Sequence, residues 1–268
     1  MELFEKKRKL EDLLSGLDGV AVAFSAGVDS TFLLKTAHDV LGDKAVAVTA
    51  VTGSFPKKEL ETAKAFCAGE NIQLITAEVD IFSLEDFCEN PVDRCYFCKK
   101  AIFSRLINVA AEQGITKIAE GSNVDDMKDY RPGMRAIAEL GVISPLREAG
   151  LTKNDVRALS KELGLATWDK PSFACLATRI AYGERITPEK LRMIEQAESK
   201  LAGLGFRQYR VRVSGDSARI ELLPEDIGKI AEPAVRRSVT SFFHSLGFMR
   251  VSVDLDGYRT GSMNDFLK

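Results

Sequence analysis

Two histidines, His38 and His244, are all that the 268-residue chain contains, and no apolar run approaches the roughly 20 residues of a bilayer-spanning helix. The first scarcity argues against a histidine-rich metal site, the second against a membrane span. The opening stretch MELFEKKRKLEDLL is charged and helix-prone, unlike an export leader, so a cytoplasmic protein is the simplest expectation. No charge of one sign dominates: 37 Lys+Arg face 39 Asp+Glu. Residues 181–268 carry 14 basic against 12 acidic groups, and the first 180 carry 23 against 27. Neither part is a polyelectrolyte, so no nucleic-acid tract is expected as partner, although a small basic pocket in the second part stays open. Internal repeats, low-complexity tracts and a serine-hydrolase elbow are all missing. At 45% hydrophobic and 28% charged the composition is that of an ordinary globular protein. Five cysteines, an odd number, make a disulfide framework a poor expectation and metal or redox chemistry a better one.

What is present is an alternating pattern. Residues 20–24, 45–51, 72–79 and 115–120 read as strands, and 29–41, 56–69 and 95–113 as helices between them. Such βαβ units predict a parallel sheet covered on both faces. Another helix opens at Thr152, paired with Asp155 as a capping box, and stops at Gly164. The character changes near residue 180. A helix over 188–204 precedes two alternating segments, 207–213 and 218–223, joined by Ser214-Gly215-Asp216 as a hairpin. A helix from Pro224 or Pro233 to Leu246 and a strand over 249–255 follow. The expected architecture is α/β: a Rossmann-like domain over 1–180 and a small α+β domain over 181–268.

The strongest chemical feature is Ser25-Ala26-Gly27-Val28-Asp29-Ser30, a turn from the first buried strand into a helix. Such a turn aims backbone N–H groups and the positive helix end at one point, a ready anion site. Gly27 lets the backbone approach closely, and the Ser25 and Ser30 hydroxyls add donors. It is not a Walker A loop, since no Gly-Lys-Ser/Thr follows. The stretch resembles the PP-loop of ATP pyrophosphatases, which cleave ATP to AMP and pyrophosphate while adenylating a substrate. That family carries glycine where this chain has Ala26; alanine is small, and the loop is expected to persist.

A second feature is Asn90-Pro91-Val92-Asp93-Arg94-Cys95-Tyr96-Phe97-Cys98-Lys99. On a helix starting near Asp93, Cys95 and Cys98 share a face beside Arg94 and Lys99, a setting that favours thiolates. Buried structural cysteines and half of a zinc site are the alternatives. Cys175, in a Pro171-containing extended loop, is a third candidate thiol; three thiolates suit a [4Fe–4S] cluster with one iron lacking a protein ligand. Cys67 and Cys88, at helix-core and loop positions, read as spectators. A third feature, running from Glu120 to Gly133, brings Asp125 and Asp126 to the carboxyl edge of the sheet, where they could hold Mg²⁺ on pyrophosphate or cap a solvated helix start. In the second part, Arg210 and Arg212 share a strand face suited to a phosphate or carboxylate, with pairing to Glu221 as the plainer reading. Arg259, between Gly257 and Gly261, is a similar candidate. Glu198 could act as acid or base, or be an exposed helix glutamate.

In order, the PP-loop, N-P-x-D-R-C-x-x-C, G-S-N-x-D-D-x-x-D-Y-R-P-G, C-L-A-T-R, R-V-R and G-Y-R-T-G-S-M make the chain similar, over nearly its whole length, to the LarE family of ATP-dependent sulfur transferases. The resemblance implies adenylation of carboxylates of pyridinium-3,5-biscarboxylic acid mononucleotide and their conversion to thiocarboxylates for the nickel-pincer nucleotide of lactate racemase. It implies that Ser25, Gly27, Val28, Asp29 and Ser30 hold ATP, with Asp125 or Asp126 helping through Mg²⁺. Arg210, Arg212 and Arg259 would hold the substrate phosphate, Glu198 would take the place of the family's functional glutamate, and Tyr96 would line the site. Cys95, Cys98 and Cys175 match the cluster-dependent branch, in which Cys175 does not give up its own sulfur. It further implies a homo-oligomer and a downstream nickel-insertion protein. A sacrificial Cys175, a PP-loop tRNA thiolase and a nucleotide-binding redox sensor are the other readings.

Overall fold

The computed structural model describes residues 2–53, 57–128, 132–170 and 175–259. Pro56, Asp129 to Arg131 of the third motif, the loop residues 171–174 and the final 260–268 lie outside them. Two compact units emerge, one comprising Met1–Leu84 and Asp93–Phe173, the other Glu85–Val92 and Ala174–Lys268.

In chain order the first unit begins with α1 (Leu3–Ser15), β1 (Val20–Ala23), α2 (Val28–Leu41), β2 (Ala45–Thr52), α3 (Lys57–Gly69) and β3 (Leu74–Val79). The one-turn helix α4 (Glu85–Cys88) belongs to the second unit. The first unit resumes with α5 (Arg94–Ala111), β4 (Ile118–Ala119), α6 (Gly133–Glu139), α7 (Pro145–Glu148) and α8 (Lys153–Glu162). Its four strands are all parallel, in the order β3-β2-β1-β4. Strand alternation sends Val20 and Val22 into a core with Leu10, Phe32 and Val156, while Ala21 and Val48 join Phe103, Leu106 and Ile137 on the opposite face. Helices therefore cover both faces, which is why the strands are apolar nearly throughout. The Thr152–Asp155 capping box opens α8 as its sequence predicts.

The fourth strand is the main departure: six residues are expected and two are paired. Its backbone is used differently, the Glu120 amide donating to the Ile143 carbonyl at 2.9 Å and the Ile143 amide to Ile118 at 2.9 Å. The helices α6 and α7 follow short, weakly periodic segments and have no counterpart in the sequence reading.

The second unit contains α9 (Pro188–Gly203), β5 (Tyr209–Ser214), β6 (Ser217–Leu222), α10 (Ile227–Ala231), α11 (Pro233–Ser245) and β7 (Arg250–Val253). The expected hairpin forms, with Ser214 opposite Ser217 and Gly215-Asp216 at its tip. β7 adds parallel to β6, giving the order β5-β6-β7. The segment Glu85–Val92 is stapled here by buried Asn90, whose side-chain amide donates to the Ala181 and Glu184 carbonyls at 2.7 and 3.0 Å. Cys88 thus ends a helical turn, not a loop, and is buried. Among the described residues no helix is long and apolar enough to cross a membrane.

Candidate functional site

The order β3-β2-β1-β4 changes direction between β1 and β4, the place at the carboxyl edge of a parallel sheet where α/β proteins form their ligand crevice. The β1–α2 loop is Ser25–Gly27. Gly27 is the N-cap of α2 and no side chain caps it, which leaves the first-turn amides aimed at the crevice. Ser30 is buried; its hydroxyl lies 3.2 Å from that of Ser25 and accepts from the Ser25 amide at 3.3 Å. The Phe24 carbonyl accepts from buried Thr49 at 2.7 Å, fixing the strand end from which the loop departs. Ala26 holds φ +54°, the left-handed region that glycine enters without cost.

The loop after β4 presses against the start of α2. A Cβ on Gly121 would come within 3.0 Å of the Ser30 nitrogen and 3.2 Å of the Asp29 carbonyl carbon. Asn123 donates to Asp29 at 3.1 Å, and Lys153 donates to the other Asp29 oxygen. Asp125 and Asp126 stand beside this cluster, but each has an oxygen engaged in shaping it. Asp125 accepts from the Lys153 amide at 2.9 Å, and Asp126 from the Asn123 amide at 2.9 Å. Lys170 reaches the loop from far along the chain, donating to the Ala26 carbonyl at 3.0 Å and to Glu59 at 2.5 Å. Neither Lys153 nor Lys170 is signalled by local sequence; their positions follow only from tertiary packing.

Cys95 and Cys98 occupy the first turns of α5 and are half-buried, whereas Cys175 is exposed. Cys67 is buried in the first core, and burial pushes its thiol up to about 11. Among the described residues no three His, Cys, Asp or Glu side chains stand gathered as a metal site. Tyr96 does not present an open ring: Arg135 lies 3.9 Å from its centroid, and its hydroxyl donates to Glu139 at 2.7 Å while Lys100 donates to it at 2.8 Å. The Tyr96 hydroxyl, aided by Lys100, holds the Glu139 carboxyl below its usual range.

The second unit gathers the basic residues. Glu198 is buried, not exposed as its plainer sequence reading has it. It accepts from Arg179 Nε at 2.8 Å, Arg179 Nη2 at 3.1 Å and the Val211 amide at 3.0 Å. Arg179, itself fully buried, also donates to the Cys175 carbonyl at 3.2 Å. Arg212 does pair with Glu221, at 3.0 Å, and donates to the Thr178 carbonyl at 2.7 Å. Arg210 is buried on β5 over the Tyr258 ring, 5.1 Å from its centroid; burial, then the neighbouring Arg179 charge, lower its basicity. Arg259 is exposed at the end of the described chain. Arg179 is the functional candidate that spacing missed: it lies in the C-L-A-T-R motif, but its partner is 19 residues away on a helix.

Sheet order, switch-point crevice and amide-rich loop define an α/β protein of the PP-loop, Rossmann-like class. No family model matches the chain. It is 41% identical over 265 residues to an uncharacterized protein of Synechocystis, covering 99% of both chains. It is 40% identical over 268 residues to the pyridinium-3,5-bisthiocarboxylic acid mononucleotide synthase of Lactiplantibacillus plantarum, covering 99% of this chain and 96% of that one. A glutamine-hydrolyzing GMP synthase chain of Pyrococcus furiosus is 25% identical over 224 residues, 77% of this chain and 71% of its own. The chain belongs to the pyridinium-3,5-bisthiocarboxylic acid mononucleotide synthase (LarE) family and is an enzyme.

Proposed function

We propose that the protein is an ATP-dependent sulfur transferase acting on pyridinium-3,5-biscarboxylic acid mononucleotide. The observation that carries this reading is the uncapped, hydroxyl-flanked β1–α2 loop in a chain 40% identical, end to end, to the named synthase. A substrate carboxylate oxygen attacks the α-phosphorus of ATP, and pyrophosphate leaves. The free amides at the start of α2, with Ser25 and Ser30, bind the phosphate oxygens; Lys153 and Lys170 add positive charge that offsets the developing negative charge. Asp125 or Asp126 contributes a carboxylate to Mg²⁺ on pyrophosphate. A sulfur nucleophile then attacks the acyl carbon, AMP leaves, and a thiocarboxylate results.

The second unit holds the substrate phosphate. Arg179 stands beside Glu198, Arg212 beside Glu221, Arg219 beside Glu221 and Asp254, and Arg210 is buried on β5 beside them, a cluster of guanidiniums whose planar donors suit a phosphate. Arg259 adds a further guanidinium. Glu198 acts by keeping Arg179 in place.

The sulfur source is assigned to a [4Fe–4S] cluster held by Cys95, Cys98 and Cys175. The donor set suits it in kind: two half-buried thiols one turn apart on α5 and an exposed third. When bound, such a cluster supplies a replaceable sulfide and hence repeated turnover. Without it, Cys175 Sγ would attack the acyl carbon itself; loss of its Cα proton and cleavage of its Cβ–Sγ bond would then leave dehydroalanine and the thiocarboxylate. The proposed setting is the cytoplasm.

The test is anaerobic incubation with ATP, Mg²⁺ and the dicarboxylate nucleotide. Substrate-dependent pyrophosphate release is expected, lost in Ser30→Ala and kept in Cys175→Ala, which makes no thiocarboxylate. ATP binding without pyrophosphate release would overturn the reading in favour of a sensor module. Iron and sulfide near four each per chain, lost in Cys95→Ala, would support the cluster; none after reconstitution would assign the sulfur to Cys175.

A further inference from the structure

Glu120, the residue after β4, is buried, and among the described residues no cation pairs with it. The other two buried glutamates, Glu198 and Glu221, each face an arginine. Neutral donors hold Glu120 instead. One oxygen accepts from the Ser122 amide at 3.1 Å and the Ser122 hydroxyl at 2.7 Å, and the other from the Ser144 hydroxyl at 2.5 Å. Burying a carboxyl group without a counter-ion is costly, and it is tolerated where every oxygen is bonded. The donors depend on it in turn, because Ser122 and Ser144 are themselves buried. The other neighbour of the Ser122 hydroxyl is the Met134 sulfur at 3.5 Å, a weak acceptor.

We propose that Glu120 is a positioning residue for the nucleotide site, fixing the 121–123 loop that in turn fixes Asp29 and the first turn of α2. Its side chain ties the Ser122 amide back into a tight turn. The Ser144 hydroxyl and the bond from the Glu120 amide to the Ile143 carbonyl hold the base of that turn. Gly121 is thereby set against the Ser30 nitrogen, and Asn123 against Asp29. The rest of Asn123 is committed: its amide donates to Asp126 and its side-chain oxygen accepts from the Asp125 amide, both at 2.9 Å. Its side-chain nitrogen is left to hold one Asp29 oxygen while Lys153 holds the other. A change at Glu120 thus reaches the phosphate-facing amides through Gly121 and Asn123, without contact to ligand. This role rests on the ATP-dependent reading of the β1–α2 loop, whereas the fixing of the 121–123 loop does not.

Two readouts on the full chain test it. Amide hydrogen exchange without ligand reads the loop: Glu120→Ala is expected to speed exchange at least about tenfold over residues 122–126, with β2 unchanged. Steady-state pyrophosphate release reads the consequence. Glu120→Ala should raise KM for ATP at least about tenfold, with kcat and KM for the dicarboxylate nucleotide within about threefold of the parent. A merely structural loss would lower the active fraction, and so kcat, while leaving KM for ATP alone. In Glu120→Gln the side-chain oxygen can accept from Ser122 and the amide can donate to the Ser144 hydroxyl, so both readouts should return to within about threefold of the parent. Should Glu120→Ala not fold, Ser144→Ala removes one donor only and is expected to move both readouts the same way by about threefold. An unchanged KM for ATP in these variants would overturn the proposal. So would a Glu120→Gln variant as impaired as Glu120→Ala, which would give the carboxylate a direct part in the reaction. A parent chain that releases no pyrophosphate would overturn the ATP-dependent reading and this role with it, an outcome told apart because the exchange data report the loop alone.

Discussion

The two units of the molecule carry their polar chemistry in opposite ways. In the first, the groups around the β1–α2 loop are backbone amides left without a side-chain cap, flanked by hydroxyls and carboxylates that bond to one another. In the second, charged groups are taken out of water and locked together: Arg179 is 1% and Glu198 7% exposed. A site made of backbone donors costs little to leave empty, because water satisfies the amides until a phosphate arrives. Buried ions have no such reserve, and each depends on its partner. The contrast predicts that substitutions in the first unit change ligand binding and those in the second change folding.

Glu198→Ala tests the second half of that statement with the largest effect. It leaves the Arg179 guanidinium and the Val211 amide without their acceptor, and removing one partner of a buried pair costs about 3–5 kcal/mol. Urea denaturation should show this loss, with Glu198→Gln, which keeps an acceptor oxygen, losing less. A Glu198→Ala variant as stable as the parent, but inactive, would move Glu198 to direct acid–base work.

Thiol reactivity sharpens the comparison next. In metal-free protein at pH 8, exposed Cys175 should react first with iodoacetamide, half-buried Cys95 and Cys98 later, and Cys67 scarcely at all. Burial raises the Cys67 thiol from 9.0 to about 11, which lowers its thiolate population roughly hundredfold below that ordinary value. The folded state therefore keeps a proton that the unfolded chain sheds. Its contribution to stability is complete below pH 9 and is lost as pH rises through about 11. Melting between pH 8 and 11 should fall less steeply in Cys67→Ala. Mass-mapped labelling that finds Cys67 as reactive as Cys175 at pH 8 would refute the ordering.

Much of this was legible in the sequence, and the boundary is physical. Helix and strand periods placed β1, α2, β2, α5, α8 and the hairpin, because each buries a face that its own residues define. The loop at Ser25 to Ser30 was legible because its donors are the backbone itself, and only a glycine and small residues at the right spacing are needed. β4 was over-extended because its apolar run belongs to a core whose hydrogen bonds pass to Ile143. The burial of Glu198 was not legible, because a glutamate on an amphipathic helix gives no sign of an arginine waiting in a distant loop. Tyr96 matched an aromatic position, yet nothing local disclosed that Arg135 would cover its ring. Lys153 and Lys170 reach the loop only through tertiary packing.

Gly121→Ala asks whether the first unit does answer to ligand more than to folding. Its Cβ would lie 3.0 Å from the Ser30 nitrogen, backbone at a helix start that cannot yield as a side-chain tip can. Overpacking of this kind costs about 1–3 kcal/mol, and here the displacement falls on the amides that face phosphate. The expected result is a rise in KM for ATP of about tenfold with a smaller fall in melting temperature, since 1.4 kcal/mol is a factor of ten. A large loss of stability with unchanged KM would erase the distinction between the units.

The smallest effect belongs to Ala26→Gly. At φ +54° an alanine carries a penalty of roughly 1–2 kcal/mol that glycine escapes. Two terms oppose the exchange: the Ala26 Cβ is buried, worth about 0.8 kcal/mol, and glycine frees the unfolded chain by about 0.4–1 kcal/mol. The terms nearly cancel, so Ala26→Gly should fall within about 1 kcal/mol of the parent and keep ATP-dependent pyrophosphate release. Ala26→Val, branched at Cβ in a left-handed position, should abolish that release because the loop must leave its path. If Ala26→Gly lost release as fully as valine does, the alanine methyl would itself be a ligand contact. The first unit would then depend on a side chain where its backbone alone is expected to serve.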